Sequence, residues 1–223
     1  MAPCQVSDHH SCNPMQMRSR FTCLVILLIA ATSWGRPPGA KPLVLILIGA
    51  PGSGKNTQSA FLEKELGLPV ISADQLIKEN PQAVASIQTI GLSAVDPRQD
   101  MIMNRLVESK LKSIDTSKGF ILDGFPATKA QADFLASLNQ QAHFPPPIVL
   151  QLDVPDAVAK KRLAKSSNPN DREPLLDQAI ADYHREMDFI ALYYPGANIK
   201  RVNGDQTPEK VSQDIRAIVT ASR

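Results

Sequence analysis

The sequence predicts an α/β fold in which a five-stranded parallel sheet carries helices on both faces and a phosphate-binding loop at one end. Three observations predict it. Short, nearly unbroken apolar runs recur along the chain; helix-length stretches fall between them; and the first run leads directly into Gly49-Ala50-Pro51-Gly52-Ser53-Gly54-Lys55-Asn56-Thr57. Alternating strands and helices imply a parallel sheet, and a strand buried on both faces reads as continuously apolar.

The first strand is Leu43-Val44-Leu45-Ile46-Leu47-Ile48, and the glycine loop follows without a gap. The loop satisfies the spacing G-x-x-x-x-G-K, although Asn56 follows the lysine and the hydroxyl arrives one residue later, at Thr57. In such a loop successive backbone N–H groups, together with the positive end of the next helix, form a concave cradle for phosphate oxygens. Lys55 is expected to reach the β- and γ-phosphates of a bound triphosphate. The helix spans 56–66, and Gly67 is placed to end it.

Leu68-Pro69-Val70-Ile71 gives the second strand, and Gly119 to Asp123, Ile148 to Asp153 and Ile199 to Val202 give the other three. Helices are predicted around 98–113, 128–139, 155–165, 174–192 and 207–221. Two stretches stand outside the alternation. Residues 72–97 carry short helical patterns of their own, and 166–173 is polar and turn-rich. Each reads as a mobile cover over the site or as an ordinary connection; phosphoryl transfer requires that water be kept from the γ-phosphate. Asp123 ends a strand and opens Asp123-Gly124-Phe125-Pro126, at the sheet edge where ligands of such folds bind. A carboxylate there can organise magnesium beside the phosphates, directly or through water.

The net charge is +2 with acids and bases intermixed, so nothing in the balance points to a nucleic-acid surface. Residues 1–40 differ from the rest. Arg18 and Arg20 precede an apolar run from Phe21 to Ala31, and small residues Thr32, Ser33 and Gly35 follow. This is the order of a secretory signal, with an apolar core too short for a comfortable membrane span. The expectation is an exported protein, or one tethered to a membrane only by this segment if uncleaved, with a cytoplasmic chain as the alternative. Cys4, Cys12 and Cys23 all lie at or before it, which leaves no thiol for a disulfide framework or metal site in the body, 41–223. His143 and His184 are too isolated to suggest a metal site.

Taken together, these motifs resemble the adenylate kinase family of nucleoside monophosphate kinases. The likeness is carried by the loop with Thr57 and Gln58, by Val70 to Lys78, by Thr116 to Pro126 with Gln131, by Lys161-Arg162-Leu163 and by Val202-Asn203-Gly204-Asp205, so it covers about 43–221. It implies magnesium-dependent transfer of the γ-phosphoryl group of ATP to a nucleoside monophosphate, AMP above all, by a monomer. Lys55, Asp123, Arg162 and Arg172 would be catalytic, with Thr57 and Asp123 toward the metal. The loop, Arg162 and Gly204 would hold ATP, and Ser72, Lys78, Gly124, Phe125 and Gln131 the monophosphate.

The departures from the family pattern are chemical. An arginine usually follows the Asp-Gly-Phe-Pro turn, where this chain has Ala127; the arm's threonine and arginine are Ala73 and Lys78; and the arginine expected four residues after Arg162 is Ser166. For the later lid arginine only Gln178, Ala179 or a displaced Arg185 is available. Lysine keeps the charge at position 78 but loses the bidentate fork that suits a phosphate. Arginines in such sites stabilise transition-state charge. Two other readings therefore stand beside the kinase: a nucleotide-binding homologue with weak or no activity, and a P-loop kinase for another small acceptor.

Overall fold

The computed structural model describes residues 41–83, 97–166, 173–194 and 199–222. Its strands are β1 (Leu43–Gly49), β2 (Val70–Ser72), β3 (Gly119–Asp123), β4 (Ile148–Asp153) and β5 (Ile199–Asn203). They form one parallel sheet in the order β2-β3-β1-β4-β5. The helices are α1 (Lys55–Leu66), α2 (Ala73–Glu79), α3 (Pro97–Ser113), α4 (Lys129–Gln141), α5 (Asp156–Ser166), α6 (Glu173–Tyr193) and α7 (Pro208–Ala221).

β1 shows why its sequence had to be apolar throughout. Successive side chains of a strand point to opposite faces. Val44, Ile46 and Ile48 join a core with Val107 and Leu111 of α3, Leu135 of α4 and Ile190 of α6. Leu43, Leu45 and Leu47 join the other core, with Leu62 and Leu66 of α1 and Val211, Ile215 and Val219 of α7. Each fully buried side chain of this size contributes about 1.5–3 kcal/mol, so β1 anchors both layers and fixes where its end, the glycine loop, emerges.

Local chemistry sets the element boundaries. Gly67 closes α1 in the left-handed conformation (φ 61°), its N–H donating to Glu63 O at 2.9 Å. Thr128 and Thr207 cap α4 and α7 through their hydroxyls. The second strand is shorter than predicted. Leu68 and Pro69 precede it: Pro69 has no N–H for a ladder, although its carbonyl accepts from Ile121 N at 2.9 Å, and Leu68 is apolar because it is 2 % exposed in the core.

The stretch 72–97 begins with α2, whose N-terminus is capped by the Ser72 hydroxyl accepting from Gln75 N at 3.4 Å. The predicted lid and most of the remaining arm lie outside the described residues, as does the signal-like segment 1–40. Among the described residues, no helix is long and apolar enough to cross a membrane.

Candidate active site

The glycine loop leaves the buried end of β1 and turns into α1. Gly54 occupies the N-cap of α1 at φ 98° and supplies no side-chain cap, so the first N–H groups of the helix face the loop without a side-chain acceptor. Gly52 has φ 83°, and a Cβ there would lie 2.3 Å from Ala159 O of α5. Only glycine permits that approach. Ala50 packs with Ala159 of α5 and Ile180 of α6, which holds the loop between two helices.

Lys55 folds its ammonium back over the loop, donating to Gly49 O at 2.6 Å and lying 3.3 Å from Ala50 O. Burial pushes its pKa down, and the carboxylates of Asp123, Asp74 and Glu186 oppose that shift. Asp123 pairs with Leu47 of β1 across the sheet and is 3 % exposed. Its Oδ2 lies 2.9 Å from Ser59 Oγ. The same hydroxyl is 3.1 Å from Asn56 O, and the carboxylate is the stronger acceptor for its single proton. Burial raises the Asp123 pKa, while Ser59 and Lys55 pull it back.

These groups border a cavity of about 360 Å³ at the carboxyl ends of β1 and β3, lined also by Gly49, Pro51, Gly124 and Ala127. Its far wall is one stripe of α6, formed by Ala179, Asp182, Tyr183, Glu186, Met187 and Ile190. A second hollow, of about 710 Å³, shares Asp74 and Asp123 with it and contains Asn56, Ser59, Ser72, Lys78 and Lys110. On the α5 side, Arg162 donates to Gly204 O at 2.9 Å and pairs with Asp205 at 3.4 Å. Two residues expected to serve ATP are thus tied together, and Gly204 N in turn donates to Asp153 O at 2.8 Å.

Lys55, Asp123 and Gly124 meet at one cavity, and Ser72 and Lys78 meet in the hollow beside it. Other expected residues are used differently. Phe125 is fully buried in the core, so its side chain is not a ligand surface. Gln131 is 8 % exposed; its Oε1 accepts from Ala127 N at 2.8 Å and its Nε2 donates to Asp100 Oδ1 at 2.8 Å. That amide braces the turn after Pro126, and its residue lines neither hollow. Thr57 is exposed on the first turn of α1. Arg172 lies outside the described residues.

The three candidates for the later lid arginine are now distinguished. Ala179 faces the cavity, Gln178 donates to Asp182 Oδ1 at 2.8 Å, and Arg185 pairs with the same Asp182 carboxylate. Among the described lining residues, Lys55 is therefore the only cation, facing Asp74, Asp123, Asp182 and Glu186.

Sequence reasoning missed Ser59, Asp74 and Glu186. Helical spacing held the signal for two of them. Ser59 lies one turn beyond Lys55, and Asp182, Tyr183 and Glu186 follow Ala179 at i+3, i+4 and i+7, a single helix face.

Comparison with known proteins agrees with this geometry. A family model described as adenylate kinase matches residues 47–199. Adenylate kinase 1 of Nostoc sp. is 31% identical over 177 residues, covering 78% of this chain and 96% of the relative. The adenylate kinase of Lactobacillus gasseri is 33% identical over 215 residues, covering 79% and 98%, and that of Mesorhizobium japonicum is 28% identical over 192 residues, covering 80% and 97%. With a family model matching most of the chain and relatives above 30% identical that it covers almost end to end, this protein belongs to the adenylate kinase family.

Proposed function

We propose that the protein transfers the γ-phosphoryl group of ATP to AMP, forming two molecules of ADP. The observation that carries this reading is the pairing of Lys55, at the head of a helix without a side-chain cap, with the buried carboxylate of Asp123 across one cavity. The loop N–H groups bind the β- and γ-phosphates, and Lys55 exchanges the carbonyls of Gly49 and Ala50 for phosphate oxygens. Arg162, held by Gly204, lies beside the loop on the triphosphate side. An oxygen of the AMP phosphate then attacks the γ-phosphorus as the bond to the bridging oxygen of ADP breaks. No covalent enzyme intermediate is needed, because positioning and charge stabilisation carry the step.

The donor set fits magnesium. Among the described residues there is no cluster of three or more metal-ligating side chains, and magnesium in kinases is held by one or two carboxylates, water and the substrate's phosphates. Asp123, steadied by Ser59, would hold its water shell, and Thr57 on the first turn of α1 is the hydroxyl this reading assigns to the metal. When bound, the ion neutralises charge on the β- and γ-oxygens. Ser72, Lys78 and Gly124 are the acceptor-side residues of this reading.

A second reading, nucleotide binding with little turnover, is favoured by Ala127 and Ala179, two methyl groups on a cavity wall that bears carboxylates. We further infer that residues 1–35 export or tether the chain, from the order of Arg18, Arg20, the apolar run and the small residues after it. The protein is proposed to act as a monomer.

A coupled assay of the purified protein with magnesium, ATP and each nucleoside monophosphate separates the two catalytic readings. ADP formation with AMP is expected. Tight binding of magnesium-ATP without ADP from any monophosphate would leave the binding protein.

A further inference from the structure

The turn that follows β3 brings Gly124, Pro126 and Ala127 to the cavity wall, and it is held at both ends and in the middle. Gly124 N donates to Leu47 O of β1 at 3.3 Å. Phe125 is sunk in the core that α3, α4 and α6 share with the sheet. At the far end the backbone N–H of Ala127 donates to Gln131 Oε1 at 2.8 Å, so the last part of the turn is fastened to a side chain and not to a strand.

That side chain is oriented from another helix. Gln131 Nε2 donates to Asp100 Oδ1 at 2.8 Å, and Thr128 Oγ1 donates to the same oxygen at 2.8 Å. A carboxylate at neutral pH only accepts, so the amide must turn its NH2 toward Asp100 and its oxygen toward Ala127, whose N–H only donates. The Thr128 hydroxyl has a single proton. With that proton spent on Asp100, its lone pairs face Gln131 N, 3.3 Å away, as the cap of α4. One oxygen of a half-buried residue in the first turn of α3 therefore orients both side chains that close the turn.

We propose that Asp100 is a positioning residue: acting through Gln131, it fixes the turn that forms the acceptor-side wall of the cavity, although it lines neither that cavity nor the hollow beside it. This rests on the reading of Gly124 and Ala127 as acceptor-side residues of a kinase. A small shift of such a wall is costly, because misplacement by about 1 Å can lower a rate a hundredfold. The glycine loop is built on β1 and α1 and packs against α5, so triphosphate binding does not depend on this brace.

The test combines hydrogen exchange at Ala127 N–H, read by NMR, with calorimetric titration of the purified full-length protein. AMP is titrated with the triphosphate site filled by a non-hydrolysable ATP analogue and magnesium, and magnesium-ATP is titrated alone. Asp100→Ala is expected to speed exchange at Ala127 by about tenfold or more and to weaken AMP binding about tenfold, with magnesium-ATP affinity within about twofold of native. Asp100→Asn, whose carbonyl can still accept both bonds, should stay within about threefold of native in every measurement. Because Asp100 acts through Gln131, adding Asp100→Ala to Gln131→Ala should cost AMP affinity little more than Gln131→Ala alone. If Asp100→Ala folds poorly, Gln131→Leu breaks the same bond from the other side and must give the same split. Unchanged exchange at Ala127, AMP affinity unmoved by these variants, equal losses for AMP and magnesium-ATP, or an asparagine variant as weak as the alanine one overturns the proposal. ADP formation is measured separately. If the native protein neither binds AMP nor forms ADP, the kinase reading falls and the brace is decided by exchange at Ala127; ADP formation with exchange and AMP affinity unmoved by Asp100→Ala keeps the kinase and removes the role of Asp100.

Discussion

Ser59→Ala tests how Asp123 is kept in place. Ser59 is 4 % exposed and Asp123 is 3 % exposed, so the 2.9 Å bond between them is shielded from water. Losing a hydrogen bond to a buried charged group costs about 1.5–3 kcal/mol, against about 1 kcal/mol for a neutral pair. The sign of the pH dependence follows from the carboxylate. Burial raises the Asp123 pKa in the folded protein, and the Ser59 bond opposes the rise. A group with a raised folded pKa contributes stability that is present below its unfolded pKa and lost as pH rises through the folded one. Removing Ser59 lifts the folded pKa further, so the variant is penalised more at neutral pH than in acid, where Asp123 is protonated. Urea unfolding should give a loss of about 2 kcal/mol near pH 7, shrinking toward about 1 kcal/mol near pH 3, below the ordinary carboxylate pKa. An equal loss at both pH values, or a loss below about 0.5 kcal/mol at neutral pH, would refute the bond as the restraint on Asp123.

Lys55→Ala is expected to abolish magnesium-ATP binding in calorimetry, because among the described residues no other cation lines the cavity; retained affinity would reject the phosphate cradle. Ala127→Arg should lower the Michaelis constant for AMP about tenfold, since a guanidinium can pair two phosphate oxygens where a methyl group pairs none, and an unchanged or higher value would put the acceptor elsewhere. Residues 1–35 should direct the chain out of the cytoplasm, with cleavage between about Ala31 and Ala40. Fractionation with N-terminal sequencing checks this, and an intact N-terminus found only in the cytosol defeats it.

The parts of the fold legible in the sequence were those that depend on local periodicity. The apolar runs located all five strands, and Gly67 located the end of α1, because burial on two faces and a left-handed cap each demand particular residues. Leu68 and Pro69 were over-read, since an apolar run does not say whether it is paired or merely buried. In the site, Lys55 and Asp123 were legible because their positions follow from the ends of β1 and β3. Gln131 was not: its amide is consumed by Asp100 and Ala127, and the Asp100 bond crosses from α4 to α3, which periodicity within one helix does not encode. Phe125 likewise belongs to a motif by sequence and to the core by packing.

The two halves of the site differ in what they are made of. In the proposed reading the triphosphate half is largely backbone: loop N–H groups, the open end of α1, and a loop path fixed by Gly52 against α5 and by Ala50 between α5 and α6. Substitution of side chains leaves such a cradle intact as long as the glycines remain. In that reading the acceptor side rests on side chains, Ser72 and Lys78 in the adjoining hollow, and the turn after Pro126 presents the methyl group of Ala127, which cannot pair phosphate oxygens as a guanidinium would. A cradle made of backbone persists when the residues opposite it change, whereas a grip made of guanidinium groups disappears one substitution at a time. In the proposed reading the phosphate cradle therefore depends on glycines and a fixed loop path, and the acceptor side on a few side chains, which makes the acceptor the more open of the two to change by single substitution.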